Sequence, residues 1–156
     1  MVTISEGVLV PGQVSVALSR GHQIHVGPVD KSTGVGKNVV RGQIMFKNAT
    51  PDVWEVATAG STSEEFGVAT EDAGENDPKV HIAQEGTAVA VTLAGAVVKN
   101  NKLKPAAGGE AIGAAGGETA GAFCGMYLGH PEETDGKTPT TNGADNEVVY
   151  MRIERS

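Results

Sequence analysis

Apolar and polar residues alternate with a period of two in several short segments of the chain. The clearest case is the carboxyl-terminal segment 147–154, where Val149, Met151 and Ile153 fall on one face. The same alternation is present in residues 79–83 and 87–93. Because successive side chains of a strand point to opposite faces, each segment predicts a β-strand with one buried face.

A β-hairpin is predicted further upstream. Two apolar segments, 43–46 and 53–57, flank a cluster of turn-favouring residues at 48–52. Residues 65–69 add another short strand before an acidic, turn-rich stretch. The residues that we expect in the structural core are Trp54, Phe66, Val80, Ile82, Val89 and Val91.

Glycine limits the other kinds of secondary structure. The 22 glycines are scattered along the chain and leave little room for a long amphipathic helix. The Ala/Gly-rich stretch 106–117 has paired glycines towards both ends, so we expect at most a short helical turn there. Residues 129–146 read as a long loop. The predicted fold class is mainly β, a small compact barrel- or sandwich-like domain with long Gly-rich loops.

The amino-terminal part of the chain differs from the rest. Val14, Val16 and Leu18 alternate with small or polar residues, but residues 19–38 show no sustained pattern. We therefore predict an extended arm over residues 1–41, with a β-rich domain over 42–156. Since isolated two-stranded elements are marginal in water, the arm is expected to become ordered by pairing with something larger.

The domain itself divides into two parts. Residues 42–93 carry the best-supported strand pattern, and residues 94–156 form a looser second half. Both halves run through short strands and an acidic loop to a closing strand. This parallel has two readings, an internal duplication or the general sameness of Gly-rich β sequences.

Charge and composition narrow the function classes. The formal net charge of -7 opposes a role in binding phosphate backbones, and the longest basic grouping, Lys99, Lys102 and Lys104, has no interleaved aromatic residue. We therefore expect no nucleic-acid partner. Only six residues are aromatic, so large apolar anchors are few and neighbouring subunits are expected to add buried area.

The chain offers no pattern of residues typical of catalysis or metal binding. Cys124 is the single cysteine and lies in an apolar run, which favours a buried structural thiol. His22 and His25 would fall on opposite faces of a strand, which does not favour a shared metal ion. Adjacent acids lie in polar loops, and no nucleophile elbow is present. We expect neither an enzyme nor a bound cofactor.

No targeting or membrane segment is apparent in the sequence. The first residues lack the charged and apolar regions of a secretory signal, and no window approaches about 18 uninterrupted apolar residues. We therefore expect a soluble protein that is not exported and has no membrane partner.

The central block resembles the head decoration, or cement, proteins of tailed viruses. In that family an opening strand is followed by a strand with a Trp-x-Val-Ala-like pattern, a Gly-Val-Ala-like element, a polar loop and a strand that ends in glycine. The segments that carry the resemblance are Gly42-Gln43-Ile44-Met45-Phe46, Trp54-Glu55-Val56-Ala57-Thr58, Phe66-Gly67-Val68-Ala69 and the run from Lys79 to Val89.

The resemblance implies a structural virion protein that binds the outside of an assembled capsid and stabilises it. It implies a homotrimer at three-fold positions, with the major capsid protein as partner and an amino-terminal arm that adds a strand to the shell. Val14, Val16 and Leu18 would then form the capsid-binding arm. The protein would occupy the capsid surface of the virion and the host cytoplasm during assembly. The long second half departs from a minimal member of this family.

A second reading is a β module that binds a small ligand or a carbohydrate. Such a module needs a concave pocket lined by aromatic side chains and a few convergent polar groups. The aromatic residues that could line it are Phe46, Trp54, Phe66, Phe123, Tyr127 and Tyr150.

Overall fold

Short antiparallel strands joined by turns account for nearly all the regular structure of the described residues. The computed structural model describes residues 38–48, 53–63, 65–99, 101–116, 118, 121–130 and 142–154, together with the backbone of 26–30. The strands are β1 (Val26–Asp30), β2 (Ile44–Lys47), β3 (Trp54–Val56), β4 (Phe66–Ala69), β5 (Lys79–Ala83), β6 (Ala88–Thr92), β7 (Lys102–Pro105), β8 (Ala111–Gly113), β9 (Gly125–Gly129) and β10 (Val148–Ile153). Between β7 and β8 lies one 3-10 turn, Ala107–Gly109.

The strands form two five-stranded sheets. Sheet 1 has the order β1-β5-β4-β2-β3, and sheet 2 has the order β6-β10-β9-β7-β8. The pairs of neighbouring strands within both sheets are antiparallel. The prediction of a mainly β, barrel- or sandwich-like domain is confirmed.

The predicted period-two pattern matches the burial of the strands. In β5, Val80 and Ile82 are fully buried whereas Lys79 and His81 are exposed. The predicted hairpin is present as β2 and β3, with Met45 opposite Val56. The six residues expected in the core are all buried, none of them more than 4% exposed. They are Trp54, Phe66, Val80, Ile82, Val89 and Val91.

The buried apolar residues of the two sheets form two hydrophobic clusters. The shared core contains residues from both sheets, including Ile44, Phe66 and Val68 from sheet 1 and Leu103 and Met151 from sheet 2. The second cluster, which we call the outer core, contains residues of sheet 1 and its flanking segment. Its buried members are Val39, Met45, Trp54, Ala69, Ala73, Val80 and Ile82.

The two sheets are copies of one topology. Each takes five consecutive strands and arranges them as first, fifth, fourth, second and third. We call residues 26–83 repeat 1 and residues 88–153 repeat 2. Equal strand order in two successive five-strand units is typical of an internal duplication.

Backbone hydrogen bonds establish the correspondence residue by residue. In repeat 1 the Ala69 amide donates to the Gln43 carbonyl at 3.0 Å, and in repeat 2 the Tyr127 amide donates to the Asn101 carbonyl at 3.1 Å. The donor and the acceptor in repeat 2 each lie 58 positions after their counterparts in repeat 1. The β2–β4 and β7–β9 registers agree with this shift, since Met45 faces Gly67 and Leu103 faces Gly125.

A second set of bonds extends the match to the acidic loops. Val39 and Ala73 exchange two backbone hydrogen bonds, and so do Val97 and Gly143. Val97 lies 58 positions after Val39, whereas Gly143 lies 70 positions after Ala73. In repeat 2 the chain therefore has 12 more residues between the fourth strand and this bridge.

The sequence retains traces of the duplication at these contacts. Residues 39–41 read Val-Val-Arg, and residues 97–99 read Val-Val-Lys. Residues 72–77 read Asp-Ala-Gly-Glu-Asn-Asp, and residues 142–147 read Asn-Gly-Ala-Asp-Asn-Glu. The internal duplication is the reading that the structure supports.

The repeats pack in a head-to-tail manner. Met45 corresponds to Leu103 and Ala69 to Tyr127, yet Met45 and Ala69 lie in the outer core while Leu103 and Tyr127 lie in the shared core. Repeat 2 thus uses this face to cover the opposite face of repeat 1. Equivalent faces do not meet, so the contact is heterologous rather than two-fold symmetric.

Two features differ from the sequence expectations. The spacer 106–117 contains strand β8 as well as the expected short turn, because Ala111–Gly113 pairs with β7. Residues 26–30, within the predicted arm, form β1 and pair with β5.

Candidate interaction surface

The free edges of the sheets are the places where another strand can add. The predicted arm strand, Val14, Val16 and Leu18, lies outside the described residues. Residues 26–30 continue from that segment into sheet 1 as edge strand β1. The backbone of β1 therefore decides whether the sheet itself can accept a further strand.

A proline limits the hydrogen bonding available along the outer edge of β1. Pro28 is in register with His81, whose amide donates to the Glu71 carboxylate at 2.9 Å and whose carbonyl accepts from Thr70 at 3.0 Å. These bonds use the backbone groups of His81 on the side away from β1. In an antiparallel ladder the opposed Pro28 then also points its backbone away from β5, towards the free edge. Since proline has no N–H, that edge lacks a donor at its centre.

The other sheet edges are short or partly covered. Strand β3 has three residues, and the following Ala57 carbonyl accepts a hydrogen bond from the Gly109 amide at 2.9 Å. In sheet 2, Leu93 beyond β6 forms a parallel bridge with Ala111 of β8. Sheet 2 thus curls until the ends of its two edge strands meet. Among the described strands, none offers a long unprotected edge.

The aromatic side chains contribute to the interior rather than to an open cleft. Trp54, Phe66, Tyr127 and Tyr150 are each at most 4% exposed. Phe46 packs partly buried against the shared core. The sixth aromatic ring, Phe123, lies under the Lys102 ammonium at 4.8 Å from the ring centroid. The aromatic lining that a ligand-binding module would need is therefore largely committed to packing.

Cys124 is placed as a structural residue. Its thiol is fully buried, and its Sγ contacts the Leu103 carbonyl oxygen at 3.4 Å and the Met151 sulfur at 3.7 Å. Burial raises the pKa of the Cys124 thiol far above its ordinary value. A thiol held in its neutral form is a poor nucleophile.

A lysine–glutamate ion pair and two histidine–glutamate contacts join side chains within the repeats. Lys104 bonds to Glu118 at 2.7 Å, so one of the three lysines in the basic grouping is neutralised locally. His81 Nδ1 lies 2.7 Å from Glu71, and His130 Nε2 lies 2.7 Å from Glu147. His81 in β5 and His130, directly after β9, thereby contact the acidic turn region of their own repeat.

The Glu71 contact predicts a pH dependence of stability. Hydrogen bonds from the His81 side chain and amide hold the pKa of Glu71 below its ordinary value of 4.5. A carboxylate with a lowered folded pKa stabilises the fold above the unfolded pKa and loses this effect as the pH falls through the folded value. We expect Glu71→Gln to lower the melting temperature at pH 7 and to have little effect in acid below that pKa.

Thermal melts between pH 7 and 3 measure this difference. About half of the Glu71 side chain is exposed, so solvent screening limits the effect to under about 1 kcal/mol. Glu110→Gln, at a half-buried position, is the control. A destabilisation by Glu71→Gln that persists undiminished at pH 3 would contradict the assignment.

The described residues show no further recognisable centre. Within them, no three His, Cys, Asp or Glu side chains lie together in a way that could hold a metal ion. His22 and His25 lie outside the described residues. No helix in the described part of the chain has the length and apolarity to span a membrane. No protein-family model matches the sequence, and no curated protein matches it.

Proposed function

We propose that this chain is a structural virion protein that binds the outside of an assembled viral capsid and stabilises it. Its partner is the major capsid protein, and it acts as a homotrimer at three-fold positions, without a cofactor, nucleic acid or membrane. It locates to the capsid surface of the virion, and to the host cytoplasm during assembly. The chain works through binding and is not an enzyme.

The observation that carries the proposal is the proline in edge strand β1, which follows the arm in the sequence. Residues 1–25 precede β1, which is the edge strand of sheet 1. That edge lacks a donor at Pro28, so the sheet is a poor acceptor for the arm strand of its own chain or of a copy. The backbone hydrogen-bonding groups of an arm strand at Val14, Val16 and Leu18 are then best paired with the sheet of a different protein.

The block that resembles cement proteins supports the same proposal. Its four segments coincide with the hairpin β2–β3, strand β4 and the run from β5 into β6. Repeat 2 then covers one face of repeat 1 through the shared core. The product is a doubled β domain with two acidic turn regions on its surface, suited to many weak contacts.

Addition of the protein to empty shells tests the proposal. Purified chain, added to capsid shells that lack it, should bind saturably and raise the temperature at which the shells come apart. Because the protein binds only the assembled shell, it stabilises that state by about 2.7 kcal/mol per site when its free concentration is 100 times Kd. Sedimentation of the free protein should show a trimer.

Two controls sharpen this experiment. Shells already saturated with the protein should take up no more of it, and unassembled shell protein should bind it weakly. Absence of saturable binding to any shell at concentrations up to 100 µM would overturn the proposal, because a site with a Kd of 100 µM binds about 7 kcal/mol less favourably than a nanomolar site. The ligand-binding reading would then be the one to test.

A further inference from the structure

Two exposed valines occupy the same position in the two repeats. Val40 is 54% exposed and Val98 is 58% exposed, and they are related by the 58-residue shift of the duplication. Among the described residues, the large hydrophobic side chains that are exposed are these two and Val148. Single exposed apolar residues are ordinary on protein surfaces, but a matched pair in a duplicated chain has a common origin.

The local structure around both valines is also the same. The Val40 carbonyl accepts from the Gln43 amide at 3.1 Å, and the Val98 carbonyl accepts from the Asn101 amide at 3.2 Å. In each turn the following residue is basic, Arg41 in one repeat and Lys99 in the other. We call Val40 with Arg41, and Val98 with Lys99, the paired turns.

Acidic-loop side chains fix both paired turns to the body of their repeat. The Arg41 amide donates to Asp72 Oδ1 at 2.8 Å, and the Lys99 amide donates to Asn142 Oδ1 at 2.9 Å. Each turn is therefore held rigid by a long-range bond, with its valine projecting outward. A rigid apolar residue loses little conformational entropy on docking.

The fold does not require valine at these two positions. The turn bonds use only main-chain atoms of Val40 and Val98, so any residue with the same backbone angles would preserve them. The strands next to the turns have diverged, since β2 reads Ile-Met-Phe-Lys and β7 reads Lys-Leu-Lys-Pro. An apolar side chain kept in both turns, followed by a cation, thus points to recognition rather than to folding.

We propose that the paired turns are two equivalent docking points, each inserting its valine into an apolar socket with acidic or carbonyl oxygens at its rim. The partner carries this socket in more than one copy, as a shell built from identical subunits does. This inference rests on the proposed function and adds the contact surface to it. Two docking points on one chain raise the avidity above that of either alone.

Substitution of the valines by serine tests the proposal without changing the charge. We expect Val40→Ser and Val98→Ser each to weaken shell binding by roughly fivefold, because each removes half-exposed apolar area that docking would bury. The double variant should weaken it by roughly 25-fold, the product of two independent losses. Fluorescence titration of the full-length protein with shells measures all three.

Val148→Ser is the matched control. Val148 is 49% exposed, but its counterpart in repeat 1 is Lys79, so it has no duplicated apolar partner. It should bind shells as the unsubstituted protein does. If the double variant binds shells as tightly as the more impaired single variant, only one docking point is used and the proposal is overturned. A loss of affinity in Val148→Ser equal to that in Val40→Ser would also overturn it.

The outcomes separate this inference from the proposed function. If the unsubstituted protein binds no shell, the proposed function fails and the paired turns lose their assigned partner. If it binds and the double variant binds equally well, only the paired turns are refuted. If the double variant instead lowers the self-association of the chain in sedimentation, the turns bind a second copy and the socket on the shell is refuted.

Discussion

Replacement of Gly125 by alanine is expected to lower the free energy of unfolding by about 3 kcal/mol, at the upper end of overpacking costs. A Cβ at this position would lie 2.5 Å from the Arg152 carbonyl oxygen and 2.5 Å from Met151 Cγ. Strand β9 lies between β7 and β10. Gly125 is in register with Ile153 and Leu103, so the neighbouring backbone cannot retreat without breaking ladder bonds.

The duplicated position gives a second, graded test. Gly67 corresponds to Gly125, and a Cβ there would lie 2.8 Å from the Ala83 carbonyl oxygen and 2.9 Å from Ile82 Cδ1. One of these atoms is the end of a flexible side chain. We therefore expect Gly67→Ala to cost less than Gly125→Ala, about 1 to 2 kcal/mol.

Gly113→Ala is the control for both substitutions. A Cβ at Gly113 would have its nearest neighbour, Val97 Cγ1, at 3.7 Å, an ordinary contact distance. It should change the free energy of unfolding by no more than about 0.5 kcal/mol. Urea-induced unfolding, analysed with one common m-value, measures the free energy of unfolding of all three variants. Equal losses for Gly125→Ala and Gly113→Ala would contradict the close packing of β9 against β10.

Period-two patterning was sufficient to predict the strands that bury one face. Val80, Ile82 and Val89 could be assigned to a core because strand geometry alone forces alternate residues to one side. Period-two patterning was insufficient for β8, because Ala111–Gly113 has one large side chain, Ile112, between two small residues. That strand depends on its pairing with β7, which no local pattern encodes.

The duplication was visible in the sequence only as a loose parallel. Equivalent positions carry unrelated side chains, such as Val56 and Gly113, and the shift between repeats changes from 58 to 70 at the longer loop. The correspondence is maintained by main-chain hydrogen bonds, which many side chains permit. Only the strand order and register made it evident.

The same limit applies to the candidate surface. The consequence of Pro28 depends on which way its backbone points, and this is known only from its register with His81. Val40 and Val98 each follow another valine, so the sequence alone gives no reason to expect one buried and one exposed. The arm residues Val14, Val16 and Leu18 stay a prediction.

Deletion of residues 1–20 is expected to weaken shell binding by about 100-fold, the effect of losing a strand that supplies roughly 3 kcal/mol of net main-chain and apolar contact. The folded domain should be unaffected, because the first described strand begins at Val26 and both cores consist of later residues. Shell titration of the truncated protein measures the loss. A melting temperature equal to that of the full chain shows that the domain is intact.

Two point variants separate the backbone of the arm from its side chains. Val16→Pro removes a ladder donor and should reproduce most of the loss caused by the deletion. Val16→Ala keeps the donor and should weaken binding by only about fivefold, the cost of lost apolar area. If Val16→Pro binds as tightly as the unsubstituted chain, the arm does not pair as a strand. If the truncated protein also binds with full affinity, the arm is not used, and the domain surface alone, including the paired turns, must provide the contact with the shell.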